Sequence, residues 1–289
     1  MKRLIGVIFL ILAIALVIIY FFLPSSGKIA VSRNIKSSNE GIYRSMTNQQ
    51  LWNKWFSNDI IITKPLLNSA EIEVLAGNQK APGNIFLVSA TNDSTKVYWQ
   101  SELPGYNRLT GYSALKELQH KINLALDSLK EFTENTENVY GIDIKQQTTK
   151  DTLLLTSRFT TRSYPGVNDV YPYINELKKT VLSMNAQPVG DPMLNVTRVD
   201  SSLYKCMIAI PVNKILDDPS FVRMIPGRFL TAQIKGGPYT IRHAHEMMQQ
   251  YFKDYQRTSM AIPFEYIITD RSAEPDTTKW ITEIYAPVY

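Results

Sequence analysis

Cysteine is almost missing from this 289-residue chain, which has one copy, Cys206. A single thiol excludes an intramolecular disulfide and any cysteine-rich zinc site, whatever the compartment. Within the apolar run Tyr204–Val212 it is expected to pack as a small hydrophobe. Histidine is scarce as well, at three copies. His243 and His245 fall two apart on a predicted helix, roughly 200° round its axis, so they cannot chelate one ion together. Glu246 shares a face with His243, but no third ligand completes the set, and His120 belongs to another module, so no metal site is expected. Runs of one charge are lacking too. The net charge of +5 comes from 31 basic and 26 acidic residues scattered in both signs, and no basic stripe for nucleic acid forms. No G-x-S-x-G elbow occurs, and the lone cysteine has no evident base. Gly236-Gly237-Pro238 has neither the spacing nor the Lys-Ser/Thr ending of a phosphate loop and reads as a strand-to-helix turn. Nothing implies a catalytic cofactor.

Apolar residues are plentiful at 44%, with 20% charged, enough for about two domains beyond a short targeting segment. Leu4–Leu23 is a run of 20 residues without a charge. As a helix it reaches roughly 30 Å, the thickness of a bilayer's hydrocarbon core. Pro24-Ser25-Ser26-Gly27 is a poor signal-peptidase site, so residues 1–27 read as an uncleaved single-pass membrane anchor. Lys2 and Arg3 hold the N-terminus inside, which places the rest on the extracytoplasmic side.

From Lys28 the pattern is α+β. Lys28–Ile35 alternates as a strand, and Ser37-Ser38-Asn39-Glu40 offers caps for a helix running to about Trp55, which Asn48-Gln49 interrupts. Strand-like runs follow at Ile60–Thr63, Ala70–Leu75, Asn84–Ala90 and Lys96–Glu102. Turns are expected at Gly77-Asn78, Pro82-Gly83 and Asn92-Asp93. Leu115, Leu118, Ile122, Leu126 and Leu129 then recur at helical spacing over Ser113–Phe132. A strand, a helix with L-W-x-x-W-F (Leu51–Phe56), strands including Ser94–Trp99 and a closing helix resemble the polyketide-cyclase/START-type helix-grip (SRPBCC) domain. That resemblance implies a sheet wrapped round the long helix, with space for an apolar ligand between them. This version looks short of a strand. The polar stretch Glu131–Asn138 closes the module, giving residues 28–138.

Residues 139–289 repeat their order of elements. Strand Thr152–Thr160, helix Val167–Met184 and strands Met193–Val199 and Lys205–Pro211 are followed by strand Phe229–Lys235, helix Tyr239–Tyr255 and strands Phe264–Thr269 and Ile281–Pro287. These are two βαββ copies. Tyr204–Val212 (Y-K-C-M-I-A-I-P-V) and Trp280–Val288 (W-I-T-E-I-Y-A-P-V) both end in Pro-Val. Superposing those pairs sets Met207 against Glu283 and Ala209 against Tyr285. One copy is plain core, and the other carries an acid and a phenol on one strand face. A carboxylate in so apolar a strand costs several kcal/mol unless something cationic meets it. The bland partners are Arg242 and Lys279. Asn92-Asp93-Ser94 and Asn195-Val196-Thr197 match the glycosylation pattern, which is common by chance.

Gly237-Pro238-Tyr239, Ile262-Pro263-Phe264-Glu265 leading into Ile267-Ile268-Thr269-Asp270, and the closing Ile281–Val288 resemble the GyrI-like, or AraC-type effector-binding, family. The resemblance implies two pseudo-repeated halves around a groove for hydrophobic, often cationic, compounds, with a ligand-facing carboxylate in the closing strand. On this chain that acid is Glu283, with Tyr285 and Tyr239 as aromatic walls. The aromatic often seen after P-F-E falls on Ile267 here, and Tyr266 takes the neighbouring slot, whose face the sequence leaves open. Relatives fused to DNA-binding domains regulate transcription, but no helix-turn-helix candidate occurs and an outward-facing protein cannot read chromosomal DNA. The expectation is therefore a membrane-anchored, extracytoplasmic binder of a small hydrophobic or cationic molecule. A rival is a hydrolase of strained electrophiles with Glu283 as general base. A third reading is a protein-interaction platform at the membrane surface, with a large exposed apolar patch.

Overall fold

A computed structural model describes residues 2–288 apart from 49, 52–54, 56–59, 78, 150–151, 225 and 260, and gives the backbone alone for 2–9 and 19. Helix α1 covers Lys2–Phe22. Its described side chains, Leu10 to Phe22, are apolar and mostly exposed. Of the expected anchor Leu4–Leu23, the side chains of 4–9 and 19 are not described. Among the described residues no helix is long and apolar enough to cross a membrane. The chain divides into two compact units, 1–135 and 136–289.

In the first unit, strands β1 (Lys28–Ile35), β2 (Ile60–Leu66), β3 (Ser69–Ala76), β4 (Gln79–Thr91) and β5 (Ser94–Glu102) form one antiparallel sheet in the order β1-β5-β4-β3-β2. Helix α2 is Asn39–Thr47, and the Ser38 hydroxyl caps it by accepting from the Gly41 N–H at 3.1 Å. It ends at Thr47, where Asn48 turns the backbone to extended, the interruption expected there, and Gln50, Leu51 and Trp55 are helical again. The rest of L-W-x-x-W-F lies largely outside the described residues. Helix α3 (Tyr112–Glu134) lies on the sheet and buries all five of the predicted leucines and isoleucine. Arg33 of β1 ties helix to sheet through Asp127 at 2.7 Å. Between them sit Ile35, Ile72, Ile85, Val97 and Trp99, each nearly or fully buried. Packed side chains fill the space between helix and sheet among the described residues. The unit's cleft of about 770 Å³ lies among outward-facing residues such as Lys28, Glu71, Asn84 and Glu102.

One turn expectation is corrected. Pro82 and Gly83 lie inside β4, where Gly83 pairs with both Ile72 and Ser101. A Cβ there would meet the Ser101 hydroxyl at 2.0 Å, so the glycine serves a close strand approach, not a turn.

The second unit begins with helix α4 (Thr136–Tyr140), three residues before the boundary drawn at Asn138. The Tyr140 hydroxyl donates to buried Asp254 at 2.7 Å and its ring meets Tyr251, which ties this turn to the second unit. Strands β6 (Lys145–Thr148), β7 (Thr152–Thr161), β8 (Met193–Arg198), β9 (Tyr204–Val212), β10 (Phe221–Met224), β11 (Arg228–Lys235), β12 (Phe264–Ile267) and β13 (Ile281–Val288) form a second antiparallel sheet. Their order is β10-β7-β9-β8-β12-β13-β11-β6. Helices α5 (Val167–Ser183) and α6 (Pro238–Asp254) cover one face, α5 over β7 and β9 and α6 over β11 and β13. The order β7-β9-β8 mirrors β11-β13-β12 about the β8–β12 contact, so two βαββ halves meet at an approximate two-fold axis. The short β6 and β10 carry too little pattern to be seen in sequence. Each extends the opposite half: β6 pairs with β11, and β10 with β7.

Chain length forces this sheet to curl. Met224 of β10 and Arg228 of β11 are four residues apart, reaching at most ~14 Å, whereas six strand spacings in a flat sheet would separate them by ~29 Å. The link Thr148–Thr152 makes a matching crossing the other way. The two links meet, the Thr149 N–H donating to the Gly227 carbonyl at 2.9 Å. Opposite corners of the sheet therefore approach each other, and the face without helices becomes a groove.

Candidate functional site

Strand alternation sorts the closing segment between two environments. Thr282, Ile284 and Ala286 of β13 are buried on the helix side, while Glu283 and Tyr285 stand half-buried on the open face. Register fills in the row. Glu283 has Tyr266 of β12 directly opposite on one side and Gln233 of β11 on the other, and Tyr285 has Phe264 and Thr231 in the same places. Tyr266 thus lines the groove, and Ile267 is buried among the residues under α5. The sequence could not place this pair because one step of register exchanges the faces.

Phe229, Phe264, Tyr266 and Tyr285 form one aromatic cluster. Phe264 stacks on Tyr285 with centroids 5.2 Å apart and planes 9° from parallel, and Tyr266 meets Tyr285 edge-on at 4.9 Å. Phe229 touches both Phe264 and Tyr285 edge-on, at 5.8 and 5.9 Å. The Tyr285 hydroxyl donates to Glu283 Oε2 at 3.3 Å. Burial, then the Glu283 charge, pushes the Tyr285 hydroxyl up to about 12. Burial and the charges of Glu283 and Asp191 raise Tyr266 in the same direction. Both phenols stay protonated at neutral pH and can donate towards the carboxylate.

No salt bridge reaches Glu283 among the described residues. The two bland partners are engaged elsewhere: Lys279 with Asp276 at 3.5 Å and Glu274 at 3.9 Å, and Arg242 over the rings of Tyr164 and Tyr239. Tyr239 itself opens α6 on the helix side and is 83% exposed. The structure brings Glu283 and Tyr285 together, adds Tyr266 and Phe264, and leaves Tyr239 apart from them.

β12 carries a second acid on the opposite face. Glu265 is buried under the helices, where His245 Nε2 stands 3.0 Å from Oε1, Arg271 donates to Oε2 at 3.4 Å and the Tyr164 hydroxyl donates at 3.4 Å. Burial pushes its carboxyl up, but the His245 bond and the charges of His245 and Arg271 outweigh burial and hold it below the usual range. Arg271 also donates to buried Thr282 at 2.8 Å and lies over the Trp280 ring. The Glu265 role was not legible in sequence; its one signal is an acid where the first half has Leu194. Cys206 is buried. Asn195 of the second glycosylation pattern is also buried and donates to the Pro263 carbonyl at 2.6 Å, which occupies the nitrogen an enzyme would glycosylate.

No family model and no curated protein matches the sequence. Among solved structures, the chain is similar to the EcmrR C-terminal domain, with 16% identity and a TM-score of 0.45 over 51% of this chain and 98% of that one. It is similar to SAV2435 bound to tetraphenylphosphonium, with 18% identity and a TM-score of 0.34 over 50% and 93%. It is also similar to a START superfamily protein from Mycobacterium smegmatis, with 13% identity and a TM-score of 0.31 over 37% and 97%.

Proposed function

We propose that the open face of the second sheet binds a small hydrophobic cation, with Glu283 as counter-charge and Tyr285, Tyr266 and Phe264 as walls. One observation carries this reading: a half-buried carboxylate without a cationic partner among the described residues, set beside a cluster of four aromatic rings. Coulomb attraction strengthens as water is excluded, and aromatic faces add cation–π attraction. Both terms favour a delocalised organic cation, whose dehydration is cheap, over a strongly hydrated ammonium. The uncharged run Leu4–Leu23 and the exposed apolar side chains of α1 support a role for that helix as a membrane anchor, with both units on the extracytoplasmic side.

The full chain in detergent would be titrated with tetraphenylphosphonium and with tetraphenylborate, an anion of the same shape. A ligand at 100 times its dissociation constant stabilises by about 2.7 kcal/mol, readable as a shift in the thermal midpoint. The cation should shift the midpoint of the wild type and lose at least about tenfold in affinity, or about 1.4 kcal/mol, in Glu283→Gln. Equal binding of both ions, or an unchanged cation affinity in the variant, overturns the counter-charge role.

A further inference from the structure

The helix side of the same sheet holds a pocket of about 330 Å³, within the range of cavities that take small organic ligands. It opens beside the β8–β12 contact, with Glu265 and His245 among its lining and with Tyr164 and Tyr204 as aromatic walls. The two rings meet edge-on with centroids 6.0 Å apart. We infer that this pocket is a second ligand site, selective for a small aromatic carboxylate, and distinct from the groove on the other face.

Charge sets the sign of the ligand. Glu265 is the acid nearest the interior, and Arg271 and His245 already answer it at 3.4 and 3.0 Å. A cation entering the pocket would have to displace them. The rim carries Arg198 and Arg242, neither in a salt bridge among the described residues, against one acid, Glu246. Glu246 in turn has His243 at 3.7 Å. The surplus is positive. Arg198 spends its Nε on the Asp200 carbonyl, and Arg242 lies over the Tyr164 ring at 5.4 Å. An aromatic-stacked guanidinium keeps its in-plane N–H groups free for a carboxylate fork. A planar aryl body lying against this tyrosine pair would leave its carboxylate at that arginine rim.

His245 contributes by geometry. An ionised Glu265 only accepts hydrogen bonds, so Nε2 of His245 carries the proton in the bond between them. Nδ1 is then the nitrogen left for a ligand atom or a bridging water. The first half offers no such pair, because the residue matching Glu265 is Leu194. The pocket is therefore asymmetric across the two-fold axis, as a site is and a packing defect need not be.

The test uses the full chain in detergent, with 2-naphthoate as probe and neutral 2-naphthamide as its isostere, followed by calorimetry or naphthyl fluorescence. Naphthoate should bind at least tenfold more tightly than the amide. Arg242→Gln and Arg198→Gln, both exposed and expected to fold normally, should each weaken the acid severalfold to tenfold without changing the amide. Glu283→Gln should leave naphthoate affinity unchanged, which separates this site from the groove. Equal affinity for acid and amide, indifference to both arginine variants, loss of binding in Glu283→Gln, or no binding at millimolar naphthoate would each overturn the proposal. None of these outcomes depends on whether the groove binds cations.

Discussion

The two halves of the second sheet have the same backbone plan and different surfaces. On the open face the first half presents Leu154, Thr156, Arg158, Met193, Asn195, Met207 and Ala209. At matching register the second presents Phe229, Thr231, Gln233, Phe264, Tyr266, Glu283 and Tyr285. Aliphatic or small residues become aromatic, and the charge changes sign and strand, from Arg158 of β7 to Glu283 of β13. On the helix face Leu194 becomes Glu265. Where the halves agree, as in Thr156 and Thr231 or the paired Pro-Val endings, the residues serve the sheet. Where they differ, the second half gives up apolar packing for charge and rings. A duplicated fold thus contains its own control, and each difference can be reversed by copying one half onto the other.

The largest effect is expected at Glu265. Glu265→Leu copies the first half and leaves Arg271 buried without its carboxylate. Removing one partner of a buried pair costs about 3–5 kcal/mol, so the denaturant midpoint should drop steeply with the m-value unchanged. Adding Arg271→Met to it should restore much of the loss. If Glu265→Leu alone is neutral, the Glu265–Arg271–His245 cluster is not holding the halves together. The cluster also fixes a pH dependence. The folded Glu265 carboxyl is held below its unfolded value, about 4.3. Its stabilisation is therefore fully present above that value and is lost as pH falls through the lower folded one. The stability gap between wild type and Glu265→Gln should be constant near neutrality and narrow below about pH 4.

Next in size is Glu283→Gln, with the loss of cation affinity already described. The same variant discriminates against the enzymatic reading. A binder releases its compound unaltered whatever stands at Glu283, whereas a general base would show turnover that the glutamine abolishes. A smaller effect is expected from Tyr285→Phe, which keeps the stacked ring on Phe264 and removes the hydroxyl that donates to Glu283. Cation affinity should fall only a few-fold, in line with one hydrogen bond of about 1 kcal/mol. Spectrophotometric titration sharpens this contrast. Burial is the first cause of the raised Tyr285 value and Glu283 the second. In Glu283→Gln the Tyr285 transition should move from about 12 part of the way to the ordinary value of 10. A full return would mean that the hydroxyl is not buried.

Most elements were legible because alternation and helical spacing are local: the leucine series of α3, the Pro-Val endings and the paired βαββ order all stand in the sequence. Glu283 and Tyr285 were legible for the same reason, as a departure from a repeat. What escaped was non-local. β6 and β10 are four residues each and owe their existence to a neighbour from the other half. Tyr266 needed the register of β12 against β13 to be assigned a face. Tyr239 looked like a wall because it opens the helix, yet the helix lies on the other side of the sheet. Pro82-Gly83 has turn chemistry, and only the partner Ser101 reveals why a glycine sits in mid-strand.

The smallest effect is expected when the acid is copied in the other direction, by Met207→Glu. Position 207 matches 283 and is half-buried on the same face, so a binding site made by the carboxylate alone would gain a second one. The neighbours are different. Arg158 stands directly opposite Met207 on β7, where Gln233 stands opposite Glu283, and the row beside it holds Asn195, Met193 and Ala209 in place of three aromatic rings. A glutamate there would pair across the strands with Arg158, an opposite-charge contact worth about 0.2–1 kcal/mol. Stability should therefore change by less than about 1 kcal/mol, and tetraphenylphosphonium should still bind at one site with its wild-type affinity. A second cation bound per chain would mean that charge suffices and the rings are incidental. Unchanged stoichiometry, together with the loss in Glu283→Gln, would mean that the groove recognises a cation through an unanswered acid and its aromatic cluster acting together.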